Sequence, residues 1–422
     1  MMGCIAGATT IGPQSCFLPT ELGHTDPMRK GCKDSVLNAS AGVPLLRPVL
    51  PSAQELLPFL RRIDASGLYT NFGPLHAELL NQLLMQQSDR SSIEVHGVLT
   101  ANATLGLELA LQALDLPPHS KVALPALTFP ATATAIQRCG HQPVVMDIDP
   151  CSWLLTPAQM PAGEALRGIA AVIPVASFGM PQDLRAWSAW QQSTGIPVVM
   201  DAAAAFGAQE TCAGMTTVFS LHATKPLSCG EGGLIVTSDS NVAERLRCMT
   251  NFGIGSDAPV HSGNAKLSEY HAAVGLAHLQ KWQEQCTQRM ALWHKYREAL
   301  SPLVGSVLQF QQDTGIVAPC VFPVQLATED MRSALEEICV NSGIQTRRWY
   351  LPLIQHLPGL ANRVELTPTP AADWLAKTLL GLPFFPTMAS EQMMQVVSAV
   401  FALRRGSSAA QDFGTSVDCI SS

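Results

Sequence analysis

The sequence predicts an α/β protein with a mostly parallel central sheet, helices on both faces and a smaller C-terminal α+β domain. Three observations carry that prediction. Short, continuously apolar runs such as residues 169–175 alternate with helical segments, as strands buried on both faces do. Hydrophobic residues make up 47% of the chain and charged ones only 14%, so the core is large and the surface sparsely charged. At 422 residues the chain also exceeds what one core usually organises.

The elements follow in order. Residues 1–42 are rich in Gly, Pro, Ser, Thr and Cys without a period of 2 or 3.6, and are read as an extension outside the fold. Helical segments are expected at 53–66 and from Pro74 to about residue 87, with proline where the first turn tolerates it. Strands at 94–100, 121–125, 143–147, 169–175 and 197–200 then alternate with helices at 104–114, 130–139 and 182–193. Two apolar runs, 218–219 and 234–236, flank a polar loop. A helix at 242–248, a Gly/Ser-rich loop at 253–263 and a long helix at 268–300 lead into the second domain. There, strands near 317–326 and helices at 329–341 and 390–404 are expected, before a small, polar tail.

Composition limits the function classes. The net charge of −7, with no basic stripe, gives no reason to expect nucleic acid. Uncharged runs are broken by Pro and Gly and are too short for a bilayer. Twelve cysteines without a C-x-x-C pair fit reduced thiols better than a disulfide framework or a zinc site. No basic segment followed by an apolar stretch opens the chain, so the expected compartment is the cytoplasm.

Four places at strand ends or helix starts carry chemistry. Asn102-Ala103-Thr104-Leu105-Gly106 joins a strand to a helix, where free N–H groups and a threonine hydroxyl could hold an anion, or where Asn102 or Thr104 is simply an N-cap. Phe129 follows a strand and offers an aromatic face to a planar heterocycle, unless it is ordinary core. Asp201 ends an apolar strand, and a charge there needs a partner, such as a pyridinium N–H, or caps a helix. Ser220-Leu221-His222-Ala223-Thr224-Lys225 places a hydroxyl and an amine in one loop before Gly230-Glu231-Gly232-Gly233, and such a lysine can form a Schiff base. Phosphate cradle, stacking ring, acid for a ring nitrogen and Schiff-base lysine are together the requirements of pyridoxal 5′-phosphate (PLP).

The chain resembles the DegT/StrS-type sugar-nucleotide aminotransferases, PLP enzymes with the aspartate-aminotransferase type I fold. The resemblance spans about residues 43–403. It is carried by TNFGPLHAEL (70–79), NATLGLELALQAL (102–114), LPALTFPATATAI (124–136), MDAAAAFGA (200–208), FSLHATKPLSCGEGGLIVT (219–237), NAKLSEYHAAVGLAHL (264–279) and TRRWYLPL (346–353). It implies a large PLP-binding domain over 43–285, a small C-terminal domain over 286–404 and a tail over 405–422. Lys225 is implied as Schiff-base lysine and proton shuttle, Asp201 as partner of the pyridine nitrogen and Phe129 as the stacking ring. Thr104, the Leu105 backbone and Ser220 would hold the phosphate. Asn264 would reach the phosphate of a neighbouring subunit, which implies a homodimer with shared sites. Tyr350 and Phe72 would border the substrate pocket.

The implied reaction moves an amino group from an amino acid donor, by resemblance L-glutamate, to a keto sugar nucleotide. Where the family has His or Gln three residues after the aspartate, this chain has Ala204, so that cofactor contact is lost or supplied elsewhere, with Asn251 and His222 as candidates. Thr250-Asn251-Phe252-Gly253 replaces a basic residue and a histidine before the glycine. Lys225 is retained, which argues against the dehydratase relatives that carry histidine there. Transamination of a keto-cyclitol or other small ketone is the alternative reaction, and a PLP-fold binding or regulatory protein the alternative class.

Overall fold

The computed structural model describes residues 42–256, 261–313, 315, 319–360 and 363–406. The extension expected at 1–42 and the tail expected at 405–422 fall outside the described residues, except at residues 42, 405 and 406. Helix α1 (Ala53–Ser66) begins at a capping box, in which Glu55 accepts the Ser52 N–H at 2.8 Å, and ends at Gly67 in the left-handed region. Helix α2 (Pro74–Ser91) has proline at its first position. The N–H groups of its first turn, on Leu75 and His76, donate to the buried Glu269 carboxylate at 2.9 and 2.7 Å.

The chain then alternates: β1 (His96–Thr100), α3 (Ala103–Gln112), β2 (Lys121–Pro125), α4 (Pro130–Arg138), β3 (Gln142–Met146), α5 (Gly163–Arg167), β4 (Ile169–Val172), α6 (Leu184–Thr194), β5 (Val199–Asp201), β6 (Thr216–Ser220), β7 (Gly233–Thr237), α7 (Ser240–Thr250) and α8 (Glu269–Leu279). The C-terminal part holds α9 (Trp282–Leu300), β8 (Leu308–Gln309), β9 (Phe322–Leu326), α10 (Glu329–Asn341), β10 (Glu365–Leu366), α11 (Pro370–Thr378), β11 (Leu379–Leu382) and α12 (Ser390–Gly406).

Two groups of strands, β10-β3-β2-β4 and β5-β6-β7-β1, join through parallel bridges from Val172 to Val198 and from Val175 to Asp201. The result is one central sheet in the order β10-β3-β2-β4-β5-β6-β7-β1, in which only β7 runs against the rest. The two-residue period of a strand divides its side chains between two cores. Ala123, Val144, Met200 and Phe219 pack beneath α1, α2, α6 and α8. Val122, Val145, Val199 and Val218 pack beneath α3, α4, α7 and α11. The mostly parallel sheet with helices on both faces is therefore as expected. A third core, built on Leu292, Tyr296, Phe322, Leu335, Leu380 and Val400, covers the antiparallel sheet β11-β9-β8.

Three expectations are corrected. The strand expected to reach residue 175 ends at Val172, because Pro174 has no N–H to give the ladder; its carbonyl instead accepts the Asp201 N–H at 2.9 Å. The long helix expected at 268–300 is two, α8 and α9. Lys281 leaves helical geometry (φ −110°, ψ 5°), and Trp282 turns its ring onto Phe206 at 5.5 Å. Seven cysteines, including Cys229 and Cys320, are free thiols as expected, but Cys151 is disulfide-bonded. Among the described residues no helix is long and apolar enough to cross a membrane.

Candidate active site

The carboxyl ends of β1, β2, β5 and β6 open into a cavity of about 410 Å³. Asn102, Thr104, Phe129, Asp201, Ser220, His222, Lys225 and Tyr350 all line it, so residues spread over some 250 positions of sequence meet in one place. That location, outside the carboxyl ends of parallel strands, is where α/β sheets bind ligands.

Each wall has a local cause. Asn102 caps α3, its side-chain oxygen accepting the Leu105 N–H at 2.9 Å. The cap reading of Asn102 is thus correct, and it commits the Leu105 N–H that the resemblance assigned to phosphate. Leu105 does not line the cavity; Ala103 and Thr104 do, and their N–H groups precede any acceptor inside the helix. The start of β7 passes close by: a Cβ on Gly233 would lie 2.5 Å from Thr100 Oγ1 and 2.7 Å from the Asn102 carbonyl, so only glycine lets strand and cap meet.

Phe129 precedes α4 and leaves 56% of its surface exposed, on the cavity wall rather than in the core. Tyr350 stands edge-on to it, with ring centroids 6.3 Å apart and planes at 70°.

Asp201 is almost wholly buried at the end of β5. Thr132 Oγ1 donates to its Oδ2 at 2.8 Å and the Ala203 N–H donates to its Oδ1 at 3.1 Å. It forms no salt bridge among the described residues. Burial pushes its carboxyl above the usual range, against the lowering pull of Thr132, the Ala203 N–H and the Lys225 charge.

Lys225 sits in the turn between β6 and β7. Its N–H donates to the His222 carbonyl at 2.9 Å, and the loop is closed by Ala223 N–H to Gly230 O at 2.8 Å and Cys229 N–H to Leu221 O at 2.8 Å. His222 Nδ1 lies 3.0 Å from Thr224 Oγ1, and its Nε2 lies 3.6 Å from Glu231. The Ser220 hydroxyl accepts the His222 N–H at 3.3 Å.

Of the two candidates to replace a contact at the buried Ala204, His222 lines the cavity. Asn251 does not, and its side chain accepts from Lys266 at 2.9 Å. Phe72 and Asn264 also lie outside this cavity. Phe72 meets His76 edge-on at 5.2 Å, and Asn264 is exposed beside Leu105 and Arg138. The residue-by-residue reading did not single out Thr132, Arg347, Trp349 or Cys320, although the last three line the cavity. Only the spacing of Thr128 and Thr132, one helical turn apart, could have signalled the first.

These groups fit PLP. A buried carboxylate lacking a counter-ion suits a protonated ring nitrogen, an exposed phenylalanine suits the ring face, and the amino end of α3 suits the phosphate. Fold and pocket together define an enzyme of the PLP-dependent type I class. Within that class the chain belongs to the DegT/DnrJ/EryC1/StrS aminotransferase family, whose model matches residues 53–401. It is a PLP-dependent aminotransferase.

Solved structures agree. A chain from Bacillus cereus ATCC 10987 described as a PLP-dependent aminotransferase is 28% identical, with a TM-score of 0.79 over 86% of this chain and 100% of that one. DesI, solved in the presence of its TDP-sugar product, is also 28% identical, with a TM-score of 0.76 over 86% of this chain and 94% of its own. DesV of S. venezuelae, solved with a ketimine intermediate, is 26% identical, with a TM-score of 0.73 over 84% of this chain and 98% of its own.

Proposed function

We propose that the enzyme transfers the amino group of L-glutamate to the keto group of a nucleotide-linked sugar, in amino-sugar synthesis. One observation carries the chemistry: the amine of Lys225 and the acid of Asp201 face the same cavity, with an aromatic ring on its wall. The sugar nucleotide is supported by the likeness to DesI, whose structure was determined with a TDP-sugar product.

PLP, when bound, supplies an aldehyde that condenses with amines and a ring that accepts the electron pair left at a deprotonated carbon. With PLP bound, Lys225 Nζ would hold its aldehyde carbon and would be the amine that moves a proton at the donor's α-carbon. Asp201 keeps the ring nitrogen protonated, and Phe129 holds the ring face. Thr104, the first N–H groups of α3 and Ser220 bind the phosphate. His222, on the cavity wall, would supply the polar contact that Ala204 cannot. Tyr350 borders the side open to substrate.

The reading includes a homodimer in which Asn264 of each chain reaches the phosphate site of its neighbour. Its exposure and its distance from its own chain's cavity suit that role. Phe72 belongs to the same proposal, as a substrate-side residue.

The test mixes PLP-loaded protein with L-glutamate alone and assays 2-oxoglutarate. One equivalent per site is expected, followed by sustained release once the right keto-sugar nucleotide is added. Release only with free keto-cyclitols would contradict the sugar-nucleotide assignment.

A further inference from the structure

Among the described residues Asp201 has one side-chain donor, Thr132, which is itself part of a chain of hydroxyls. Thr132, wholly buried on the first turn of α4, lies 2.8 Å from Asp201 Oδ2, 3.0 Å from Thr128 Oγ1 and 3.4 Å from the Phe129 carbonyl. Thr128 is almost as buried. A hydroxyl has one proton to give and can accept two. When Asp201 is ionised, Thr128 donates to Thr132 and Thr132 donates to the carboxylate, so the short contacts are all used. When Asp201 is protonated and donates to Thr132, the relay must reverse: Thr132 donates to Thr128 at 3.0 Å, and the Thr128 proton is left with the Phe129 carbonyl at 3.5 Å, a poor hydrogen bond. Two threonines one turn apart therefore favour the carboxylate over the carboxylic acid, against the burial that favours the acid.

We propose that Thr132, backed by Thr128, is the positioning residue that keeps Asp201 ionised and aimed at the cofactor's ring nitrogen. The same hydroxyl reaches the Phe129 carbonyl, so one helical turn sets both the stacking ring and the acid. The inference rests on PLP as the cofactor and on no particular substrate. Lys225 and Tyr350 are the other titratable groups coupled to Asp201, and a change at Thr132 leaves both in place.

The experiment titrates cofactor-stripped protein with PLP and follows the visible absorption band. Thr132→Val, matched in shape, should weaken PLP binding by roughly 10- to 100-fold, the worth of a hydrogen bond to a charged group. Thr132→Ser should bind within about threefold of the unaltered protein. In an Asp201→Asn background, Thr132→Val should change affinity by less than about threefold, because the charge it serves is gone. Should Thr132→Val fail to fold, Thr128→Val takes its place, with a several-fold loss expected. The proposal is overturned if the valine variant binds PLP within about twofold of the unaltered protein. It is also overturned if the full loss persists in the Asp201→Asn background, which would mark a packing defect. Because no donor or sugar enters the assay, failure here is distinct from failure of the sugar-nucleotide reading.

Discussion

Tyr350 and Phe178 lie face to face, their ring centroids 5.1 Å apart and their planes within 4°. Phe178 is buried and holds a positive φ of 63°, so the loop after β4 presents a fixed ring on which the C-terminal segment rests. Tyr350 in turn meets Phe129 edge-on, so the three rings form one continuous stretch of the cavity's surroundings. Tyr350→Ala should lower the unfolding free energy by about 2–4 kcal/mol, measured in denaturant, and weaken PLP binding. Tyr350→Phe keeps the stack and should cost less than about 1 kcal/mol.

Asp201 sets a second expectation. In cofactor-free protein burial holds its folded pKa above the unfolded value, so the folded state keeps a proton that the unfolded state has lost. Stability must then fall as pH rises from the unfolded value through the folded one, and level off above it. Asp201→Asn removes that penalty. It should raise the unfolding midpoint of the cofactor-free protein at neutral pH while abolishing transamination. The gap between variant and unaltered protein should widen with pH across the carboxylate range. A variant less stable than the parent at pH 7 would show that the acid is not under strain.

His76 acts in the opposite direction. It is buried, its Nε2 has no partner among the described residues, and burial lowers its pKa to about 4. The unfolded chain therefore takes up a proton first as pH falls below 6.5, and stability drops until the folded pKa is passed. The loss should reach about 3 kcal/mol at the acid end. His76→Leu should flatten the unfolding midpoint between pH 6.5 and 4 relative to the parent, read by scanning calorimetry.

Gly275 lets α8 press against the loop that carries Lys225. A Cβ there would lie 2.6 Å from Cys229 Sγ and 2.8 Å from Leu79 Cδ2. Gly275→Ala should destabilise the protein by about 1–3 kcal/mol and displace the Lys225 loop enough to weaken PLP binding. Adding Cys229→Ala makes room for the new methyl and should recover part of both losses. Equal damage with and without Cys229 would contradict this packing account.

The central sheet was legible because its strands are short apolar runs buried on both faces, a pattern that residues 121–125 and 234–236 show without help from distant sequence. The meeting of Lys225, Asp201 and Phe129 was legible from motif order, and that of Tyr350 only from the family resemblance. What the pattern did not show depends on three-dimensional partners. Strands β8 and β10 are two residues each, too short to carry a period, and β10 pairs with β3 from more than 200 residues away. Helix α11 hides behind the Thr/Pro-rich stretch 367–370. The break at Lys281 follows from Trp282 docking on Phe206 rather than from a helix-breaking residue. The Leu105 N–H could be assigned to phosphate or to its cap only once the Asn102 side chain was placed.

The central claim is that PLP is joined to Lys225. Treating the yellow holoenzyme with borohydride, digesting it and locating the pyridoxyl group by mass spectrometry tests this directly. The added mass should fall on the peptide containing Lys225, with the visible band bleached, and Lys225→Ala should carry no adduct. An adduct on another lysine, such as Lys266, or a full visible band in Lys225→Ala, would contradict it.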